Sequence, residues 1–332
     1  MGSAVTKALN ERGSDVYALC LPNEKHLPHG EGVKVFFGDV CDIESLTVIF
    51  DNCAGSLAAK SADKSVIVIH CAGIVSILSK YNQKVFDVNV NGTKNIISLC
   101  EKYNVKKLVH ISSVHAIPEL PAGEVITEVD HFSPGNVAGL YAKTKAEASQ
   151  HVIDYMKRGY DANIIHPSGI TGPGDFGKGH ITELVIHCCK SGLTSAVSGG
   201  YDFVDVRDVA DGVLSCCRNG RSGECYILSG YYFKVSELLN LLQEITGKKS
   251  IKIIFPLWFA RLIAPLVELY YRILNKPPLF TSYSIFTLNT NANFSREKAA
   301  KELGYAVRPM KQTLTDTIKW LKDNNRIKTI DK

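Results

Sequence analysis

The stretch Ser65-Val66-Ile67-Val68-Ile69-His70 decides the fold class. It is an almost continuous apolar run, which is typical of a parallel strand covered by helices on both faces. Similar runs lie before it at 15–20 and 33–37 and after it at 107–111 and 162–166. Segments with helical spacing of apolar residues separate these runs. The alternation predicts an α/β fold, a doubly wound parallel sheet with helices on both faces.

Helix signals fill the intervals between the predicted strands and continue after them. The predicted helices cover residues 3–11, 43–50, 85–103, 137–158, 235–246, 295–303 and 312–321. A further apolar run, 256–274, contains Pro265, which we expect to kink or break a helix there. Residues 324–332 are mostly polar and are predicted to be a frayed tail.

Small or polar residues follow the predicted strands at the points where the strands end. They are Asp39, Cys71, Ala72, Gly73, Ser112, Ser113, Pro167, Ser168 and Gly169. In an open parallel sheet, ligands bind in the crevice at the carboxyl ends of the strands. The sequence therefore predicts a binding site built from these residues.

Tyr141 and Lys145 form an acid/base pattern on one predicted helix. At positions i and i+4 both side chains leave the same face, one turn apart. The ammonium of Lys145 is expected to lower the pKa of the Tyr141 phenol towards neutrality. A serine hydroxyl at the end of a neighbouring strand would hold a substrate oxygen. The alternative is a chance spacing, because this pattern alone is weak.

Composition excludes several classes of function. The chain has 332 residues, 45% hydrophobic and 21% charged, which is typical of a globular protein with an ample core. The net charge of +5 is small and the basic residues are spread out, so nucleic-acid binding is not expected. Ten cysteines lack CxxC or zinc-finger spacing, so no metal site is predicted. The lack of a signal peptide and of a long apolar run indicates a cytoplasmic protein.

Short motifs occur along the chain in the order found in one enzyme family. They are 38–40 (Gly-Asp-Val), 70–73 (His-Cys-Ala-Gly), 88–93 (Val-Asn-Val-Asn-Gly-Thr), the serine pair 112–113, the Tyr-x-x-x-Lys at 141–145, 166–175 and 203–210. Through them the chain resembles the extended short-chain dehydrogenase/reductases, the NAD-dependent epimerase/dehydratase family, over nearly its whole length. The resemblance implies a Rossmann-type fold and a dinucleotide cofactor.

The resemblance also implies catalytic roles. Tyr141 would be the general acid/base for a carbonyl/alcohol pair. Lys145 would lower its pKa and hold the nicotinamide ribose, and Ser113, favoured over Ser112, would orient the substrate oxygen. Asn89 would support a proton relay or the geometry of the active-site helix, and its alternative role is helix capping or packing.

The cofactor residues implied by the resemblance cluster at the strand ends. They are Gly2, Asp39, Val40, Cys71, Ala72, Gly73, Ser112, Tyr141, Lys145, Pro167, Ser168, Gly169 and Ile170. The acidic residue that selects NAD would fall near Leu21-Pro22 and is missing there, whereas Lys25 and His26 are close. The cofactor is therefore expected to be NADP or NAD, with a slight preference for NADP.

The start of the chain departs from the family pattern. The family opens with a strand and a GxxGxxG turn, and Gly2 aligns with the third of those glycines. A missing first strand would leave a gap between the strands at Val16 and Val66 and would deplete the amide donors for the pyrophosphate. Two explanations stay open. The favoured one is that the gene begins upstream of Met1, and the other is that the chain is a true truncation with weaker cofactor binding.

The family pattern suggests two lobes. Residues 1–175, joined again by 203–230, form the predicted dinucleotide-binding domain, and 176–202 with 231–325 form a smaller substrate lobe before a tail at 326–332. The apolar run 256–274 is expected to wall a hydrophobic pocket, to pack as lobe core, or to touch a membrane surface. It is not a firm membrane signal.

The substrate lobe resembles the dihydroflavonol-reductase-like and 3β-hydroxysteroid-dehydrogenase-like branch. Sugar-nucleotide members carry an arginine that can clamp a diphosphate where this chain has Tyr201. We therefore expect an oxidoreductase that interconverts a ketone and an alcohol on a small or hydrophobic substrate, such as a flavonoid, steroid or aldehyde. The alternatives are a nucleotide-sugar epimerase/dehydratase and a non-catalytic dinucleotide- or partner-binding protein. A homodimer is one expected assembly.

Overall fold

The computed structural model describes residues 1–60, 65–76, 81–177, 179–248, 251–273 and 282–327. Parallel strands and helices alternate through its first two thirds, which confirms the predicted α/β class. The strands of this part are β1 Val16–Cys20, β2 Val33–Phe37, β3 Ile67–His70, β4 Lys107–Ile111, β5 Ala162–Pro167 and β9 Cys225–Leu228. The helices are α1 Gly2–Glu11, α2 Ile43–Lys60, α3 Gln83–Phe86, α4 Gly92–Lys102, α5 Leu140–Lys157 and α7 Val206–Asn219.

The parallel strands form two separate sheets. The main sheet has the order β3-β4-β5-β9, and β1 pairs with β2 in a sheet of its own. Within the described residues β3 pairs only with β4, so no strand joins it to β1. This separation agrees with the gap expected between these two strands.

Residues of β4 and β5 alternate between two hydrophobic cores. Leu108 and Ile164 lie in the core under α4 and α5. Val109 and Ile165 lie in the core on the opposite face, under α1 and α7. All four are fully buried, and each such burial stabilises the fold by about 1.5–3 kcal/mol. A sheet that is buried on both faces explains the nearly continuous apolar runs in the sequence.

Two predicted helices in this part have different bounds. Helix α2 runs to Lys60, past the predicted end at Phe50. Gly55 costs about 1 kcal/mol inside it, which is not enough to stop a helix anchored in the core through Leu46. The predicted helix 85–103 is divided into α3, a π-helical turn at Asp87–Asn91, and α4. The wide turn contains Asn89.

Shorter sheets and helices make up the rest. Strands β6 Gly169–Thr171, β8 Gly200–Asp205 and β10 Tyr231–Lys234 form one sheet, and β7 Ser195–Val197 pairs with β11 Ile253–Phe255. The family motif at 166–175 thus contains β6. The helices are α6 His180–Ser191, α8 Val235–Thr246, α9 Leu257–Ile273, α10 Ser282–Thr287, α11 Glu297–Leu303 and α12 Met310–Asp323. The structure places α7 and β9 with the main sheet and residues 200–205 with the β6-β8-β10 sheet.

The structure corrects two expectations for the last third, a break of the helix at Pro265 and fraying from the start of the tail. Helix α9 continues through Pro265, because Ala260 and Ala264 on its inner side are buried against Ile285 and hold it in place. The start of the predicted tail is not frayed. Arg326 donates to the carbonyl oxygen of Asp175 over 2.6 Å, and Ile327 is buried. Residues 328–332 of that tail lie outside the described residues.

Candidate active site

Helix α5 presents Tyr141 in its first turn. Gly139 precedes the helix with φ of 92°, a conformation that favours glycine. A Cβ at Gly139 would also collide with the ring of Tyr283. The glycine therefore allows α5 to start directly beneath the ring of Tyr283, and Tyr141 is buried there.

Lys145 lies one turn further along α5 and is buried. Its Nζ donates a hydrogen bond to the carbonyl oxygen of Ile111, at the end of β4, over 2.8 Å. A Cβ on Gly73 would stand only 3.2 Å from both Lys145 Nζ and Asn89 Oδ1, so the glycine leaves space at the ammonium. The neighbouring Ala72 packs at the edge of the core. Burial lowers the pKa of Lys145 to about 8.

The pKa of Tyr141 corrects an expectation from the sequence. Burial raises it to about 12, and hydrogen bonding with Ser113 offsets only part of the rise. The expected lowering by Lys145 is wrong for the protein alone, because removing water from the phenolate costs more than the hydrogen bond with Ser113 returns. At neutral pH Tyr141 is a neutral phenol.

The two serines have different surroundings. Ser112 Oγ is hydrogen-bonded to Ser149 Oγ, 2.7 Å away inside the protein. Ser113 Oγ accepts a hydrogen bond from the His115 amide, and its carbonyl accepts one from His166 Nδ1 over 2.9 Å. Ser113 is thus the serine held next to Tyr141, whereas Ser112 connects its strand to α5.

Asn89 uses its whole amide group for hydrogen bonds inside the protein. Its Oδ1 accepts from the Ile74 amide over 2.7 Å, and its Nδ2 donates to the Ile74 carbonyl and to Thr144 Oγ1, each over 3.0 Å. The Thr144 hydroxyl in turn donates to the Tyr141 carbonyl over 2.9 Å. Asn89 therefore joins the loop after β3 to the first turn of α5. This geometry supports a positioning role.

The residues assigned to the adenosine side lie along one edge of the sheets. Asp39 accepts a hydrogen bond from the amide two residues ahead, within its own turn. Val40 is buried in the core. Its side chain lies so close to Gly92 that a Cβ there would approach it to 2.7 Å. Gly2, at the start of α1, lies beside Cys71, where an added Cβ would make an ordinary contact at 3.6 Å.

The 167–170 segment connects the main sheet to the β6-β8-β10 sheet. Pro167 ends β5, and Gly169 and Ile170 begin β6. A Cβ on Gly169 would stand 2.8 Å from the Asp202 carbonyl, so this crossing needs a glycine. Ser168 is buried beside the carboxylate of Asp202. Burial raises the pKa of Asp202 to about 6, although hydrogen bonding with Ser168 opposes the rise.

Two aromatic residues at the site, His115 and Tyr283, were not predicted from the sequence, and a third, Tyr201, was singled out only as the residue in place of a diphosphate-clamping arginine. His115 Nε2 and the Tyr201 hydroxyl are hydrogen-bonded over 3.0 Å, and their rings stack. The His115 ring also meets Tyr141 edge-on, with 6.1 Å between centroids, and lies near Tyr283. Burial lowers the pKa of His115 to about 4, so it is neutral at neutral pH. Its place two residues after Ser113 was the one available signal.

A small, partly enclosed pocket lies between the 114–117 turn, the start of α5, Tyr201 and residues 290–294, and both apolar and polar side chains line it. Its apolar walls are formed by Val114, Ile117, Ile126, Val137, Ala142 and Phe294. Its polar groups include His115, Tyr201 and Glu119. Among the described residues that line this pocket there is no lysine or arginine.

Comparison with known proteins identifies the family. The model of the NAD dependent epimerase/dehydratase family matches residues 1–228. The chain belongs to this family. Its members, including the extended short-chain dehydrogenase/reductases, are NAD-dependent enzymes, so the predicted enzyme class and the resemblance are confirmed.

Several curated proteins are similar to this chain over most of its length. The chain is 28% identical over 315 residues to the sterol demethylase protein B of Methylococcus capsulatus, covering 91% of this chain and 94% of that protein. It is 27% identical over 266 residues to a putative dihydroflavonol 4-reductase of Synechocystis, covering 79% and 78%. It is 30% identical over 288 residues to the 3beta-hydroxysteroid-dehydrogenase/decarboxylase isoform 1 of Arabidopsis thaliana, covering 79% and 64%.

Solved structures share the fold along the whole chain. The crystal structure of gox2253 has a TM-score of 0.81 and 27% identity, with 98% of this chain and 96% of that one covered. A nucleoside-diphosphate-sugar epimerase from Pseudomonas aeruginosa has a TM-score of 0.74 at 18% identity, covering 99% and 96%. At that identity the second likeness shows the fold alone.

The hydrogen bonds of Asn89 lead to a stability prediction. Asn89→Ala leaves the half-buried Ile74 amide and carbonyl and the buried Thr144 hydroxyl without their partner, so the free energy of unfolding should fall by about 2–3 kcal/mol. The matched control is Asn91→Ala, which loses one half-buried bond to Asp87 and should cost about 1 kcal/mol or less. Urea denaturation followed by circular dichroism measures both. Equal losses in the two variants would contradict the linking role of Asn89.

Proposed function

We propose that this member of the family is an NAD(P)-dependent oxidoreductase that interconverts a ketone and an alcohol on a hydrophobic substrate. The observation that carries the proposal is the lack of a cationic side chain among the described residues that line the small pocket next to Tyr141. A diphosphate-linked sugar requires cationic or other strong donors. Instead, the neutral His115 and Tyr201 face that pocket, and no lysine or arginine is found among its described lining residues.

The names of the relatives support the same class of substrate. Two of them are named for sterols or steroids and one for a dihydroflavonol. Each of these is a largely apolar ring system that bears hydroxyl or keto groups. A steroid-, flavonoid- or aldehyde-like ketone or alcohol fits the pocket chemistry for the same reason.

The residues present fit the nicotinamide half of a dinucleotide. Lys145 is buried with one acceptor, Ile111 O, so further N–H donors remain for the hydroxyls of a ribose. Gly73 keeps the space beside that ammonium open, and Ser168 and Gly169 border the same strand ends. When bound, NADP or NAD supplies or accepts a hydride. Gly2, Asp39, Val40, Cys71, Ala72, Ser112, Pro167 and Ile170 complete the proposed cofactor set.

The protein side chains then transfer one proton to the substrate. Ser113 holds the substrate oxygen, and Tyr141 gives its phenolic proton to that oxygen as a ketone is reduced. The positive charge of Lys145 stabilises the phenolate left on Tyr141. Because burial keeps Tyr141 protonated at neutral pH, the protein alone is prepared for reduction. Asn89 acts by positioning α5.

The nucleotide preference that we propose is NADP over NAD. Leu21 and Pro22 stand at the end of β1, where the carboxylate that selects NAD would lie, so the residue that would exclude a 2′-phosphate is missing there. The loop is held in place because Glu24 accepts hydrogen bonds from the Lys25 and His26 amides and because His26 stacks on Phe176. Lys25 is exposed on this loop and is the proposed partner of the 2′-phosphate.

Fluorescence titration with NADPH and NADH tests this preference. NADPH should bind about tenfold more tightly, since a charge-assisted bond to phosphate contributes about 1.5–3 kcal/mol. Lys25→Ala should remove the difference, whereas the control Lys102→Ala, on the far end of α4, should keep it. Tighter binding of NADH by the unaltered protein would show that the proposed preference is wrong.

A substrate panel with one catalytic variant tests the reaction. The panel contains a 3-ketosteroid, a dihydroflavonol, an aromatic aldehyde and a UDP-hexose. Tyr141→Phe should lower kcat for the accepted ketone or aldehyde by about 10²–10⁴-fold and leave the nucleotide Kd unchanged. The control Tyr232→Phe removes an exposed phenol and should leave both values as they were.

The other outcomes of the panel separate the alternatives. Turnover or tight binding of the UDP-hexose alone would favour the epimerase/dehydratase reading. Nucleotide binding without turnover of any compound would favour the non-catalytic reading. Full activity of Tyr141→Phe would refute the proposed role of the phenol.

The pKa values predict how reduction depends on pH. Tyr141 keeps its proton up to a pH of about 12, and Lys145 keeps its charge only below about 8. Reduction should therefore be constant at lower pH and decline as pH rises through about 8. The quantity to measure is kcat/KM for the nucleotide between pH 6 and 10, since it reports on the free enzyme. Circular dichroism at each pH controls for unfolding, and a rate that rises to pH 10 would contradict the prediction.

A further inference from the structure

One side of α9 is apolar and faces outward. Trp258, Leu262 and Leu266 are 68%, 69% and 68% exposed. Because they are spaced by four residues, they lie in one row along the helix. The opposite side of the helix carries Ala260 and Ala264, which are buried. A helix at a protein surface normally has polar residues outside, so this outer row needs a separate explanation.

Strand β11 extends the apolar row. Its residues Ile253, Ile254 and Phe255 are all exposed, although successive residues of a strand point to opposite faces. The Phe255 ring stacks on Phe259 with 5.4 Å between centroids, and Trp258 meets Phe259 edge-on at 5.8 Å. Strand and helix thus form one continuous surface. We call it the outer strip, formed by Ile253, Phe255, Trp258, Leu262 and Leu266.

Basic residues border the outer strip. Lys252 directly precedes β11, and Arg261 lies next to Leu262 on α9, and both are exposed. In the sequence, residues 248–276 contain one acidic residue, Glu268, and the basic residues Lys248, Lys249, Lys252, Arg261, Arg272 and Lys276. An apolar strip within a basic segment is complementary to a surface that is apolar inside and anionic outside.

We propose that the outer strip docks on the surface of an anionic lipid bilayer. Trp258 would lie at the level of the headgroups, where its ring has an apolar body and a polar N–H. Leu262 and Leu266 would enter the boundary of the acyl chains, and Lys252 and Arg261 would contact lipid phosphates. The described helices include none with both the length and the apolar character to cross a bilayer, so the strip lies on the membrane.

Charge argues against a second copy of the chain as the occupant. A two-fold interface places the same patch on itself, so Arg261 and Lys252 of one copy would approach their own equivalents. Like charges brought together in an interface are unfavourable. An anionic bilayer gives the same residues opposite charges. This argument does not depend on the proposed reaction.

Tryptophan fluorescence provides a direct readout of docking. The chain has two tryptophans, so Trp320→Phe leaves Trp258 as the single reporter. This variant is mixed with vesicles of phosphatidylcholine alone and with vesicles that contain an equal part of phosphatidylglycerol. With the mixed vesicles, we expect co-sedimentation, a blue shift of Trp258 emission, quenching by brominated acyl chains, and weaker binding at high salt.

Variants of the strip test which residues bind, with sedimentation as the readout. Trp258→Ser, Leu262→Ser and Leu266→Ser combined in the unaltered background should lower partitioning onto mixed vesicles at least about 100-fold. Lys252→Glu with Arg261→Glu should lower it about tenfold or more. The matched control is Val48→Ser with Val125→Ser, which removes two other exposed apolar side chains and should leave partitioning unchanged.

Three results would overturn the proposal. One is equal binding of the triple serine variant and the unaltered protein. Another is equal binding to vesicles with and without phosphatidylglycerol. The third is a vesicle-independent dimer, seen by light scattering after gel filtration, that the triple serine variant dissociates, since the strip would then be an interface between two copies.

Discussion

The amide group of Asn89 is the constraint on which the site depends. Through three hydrogen bonds it connects the loop after β3 with Thr144, whose hydroxyl reaches the Tyr141 carbonyl. The π-helical turn that contains Asn89 gives the helix one extra residue in that turn. The position of the phenol relative to the strand ends is therefore set by hydrogen bonds from the Asn89 and Thr144 side chains to the backbone of Ile74 and Tyr141. A group that must meet a substrate oxygen within a fraction of an ångström needs this kind of support.

Burial sets the electrostatic properties around that group. The same loss of water raises the pKa of Tyr141 and lowers those of Lys145 and His115. Two more histidines, His110 and His166, lie on neighbouring strands beneath α5, and burial lowers the pKa of both. The site is thus surrounded by neutral rings, and the nearby groups whose charge changes close to neutral pH are Lys145 and, beside Ser168, Asp202, with pKa values of about 8 and about 6. In such surroundings one ammonium has a large effect on a developing phenolate.

The substrate side is built by parts of the chain that are far apart in sequence. His115 follows β4, Tyr201 lies on β8 and Tyr283 on α10, and their rings meet above Tyr141. Gly139 is required for this meeting because a side chain there would displace Tyr283. The outer strip lies on α9 and β11. Pocket and strip are separate surfaces, so the chemistry of one and the docking of the other can be tested independently.

The sequence by itself determined the alternation of strands and helices, the Tyr141–Lys145 spacing and the strand ends where the site lies. These features follow from short-range periodicity and from the rule that parallel strands end at one edge. Only the tertiary structure decided that Ser113 is the serine beside Tyr141, that the pKa of Tyr141 rises, and that His115 pairs with Tyr201. Helix α9 likewise continues through Pro265 because of packing against α10. Hydrogen-bond partners, loss of water and packing depend on segments that are distant in the chain, so no local pattern contains them.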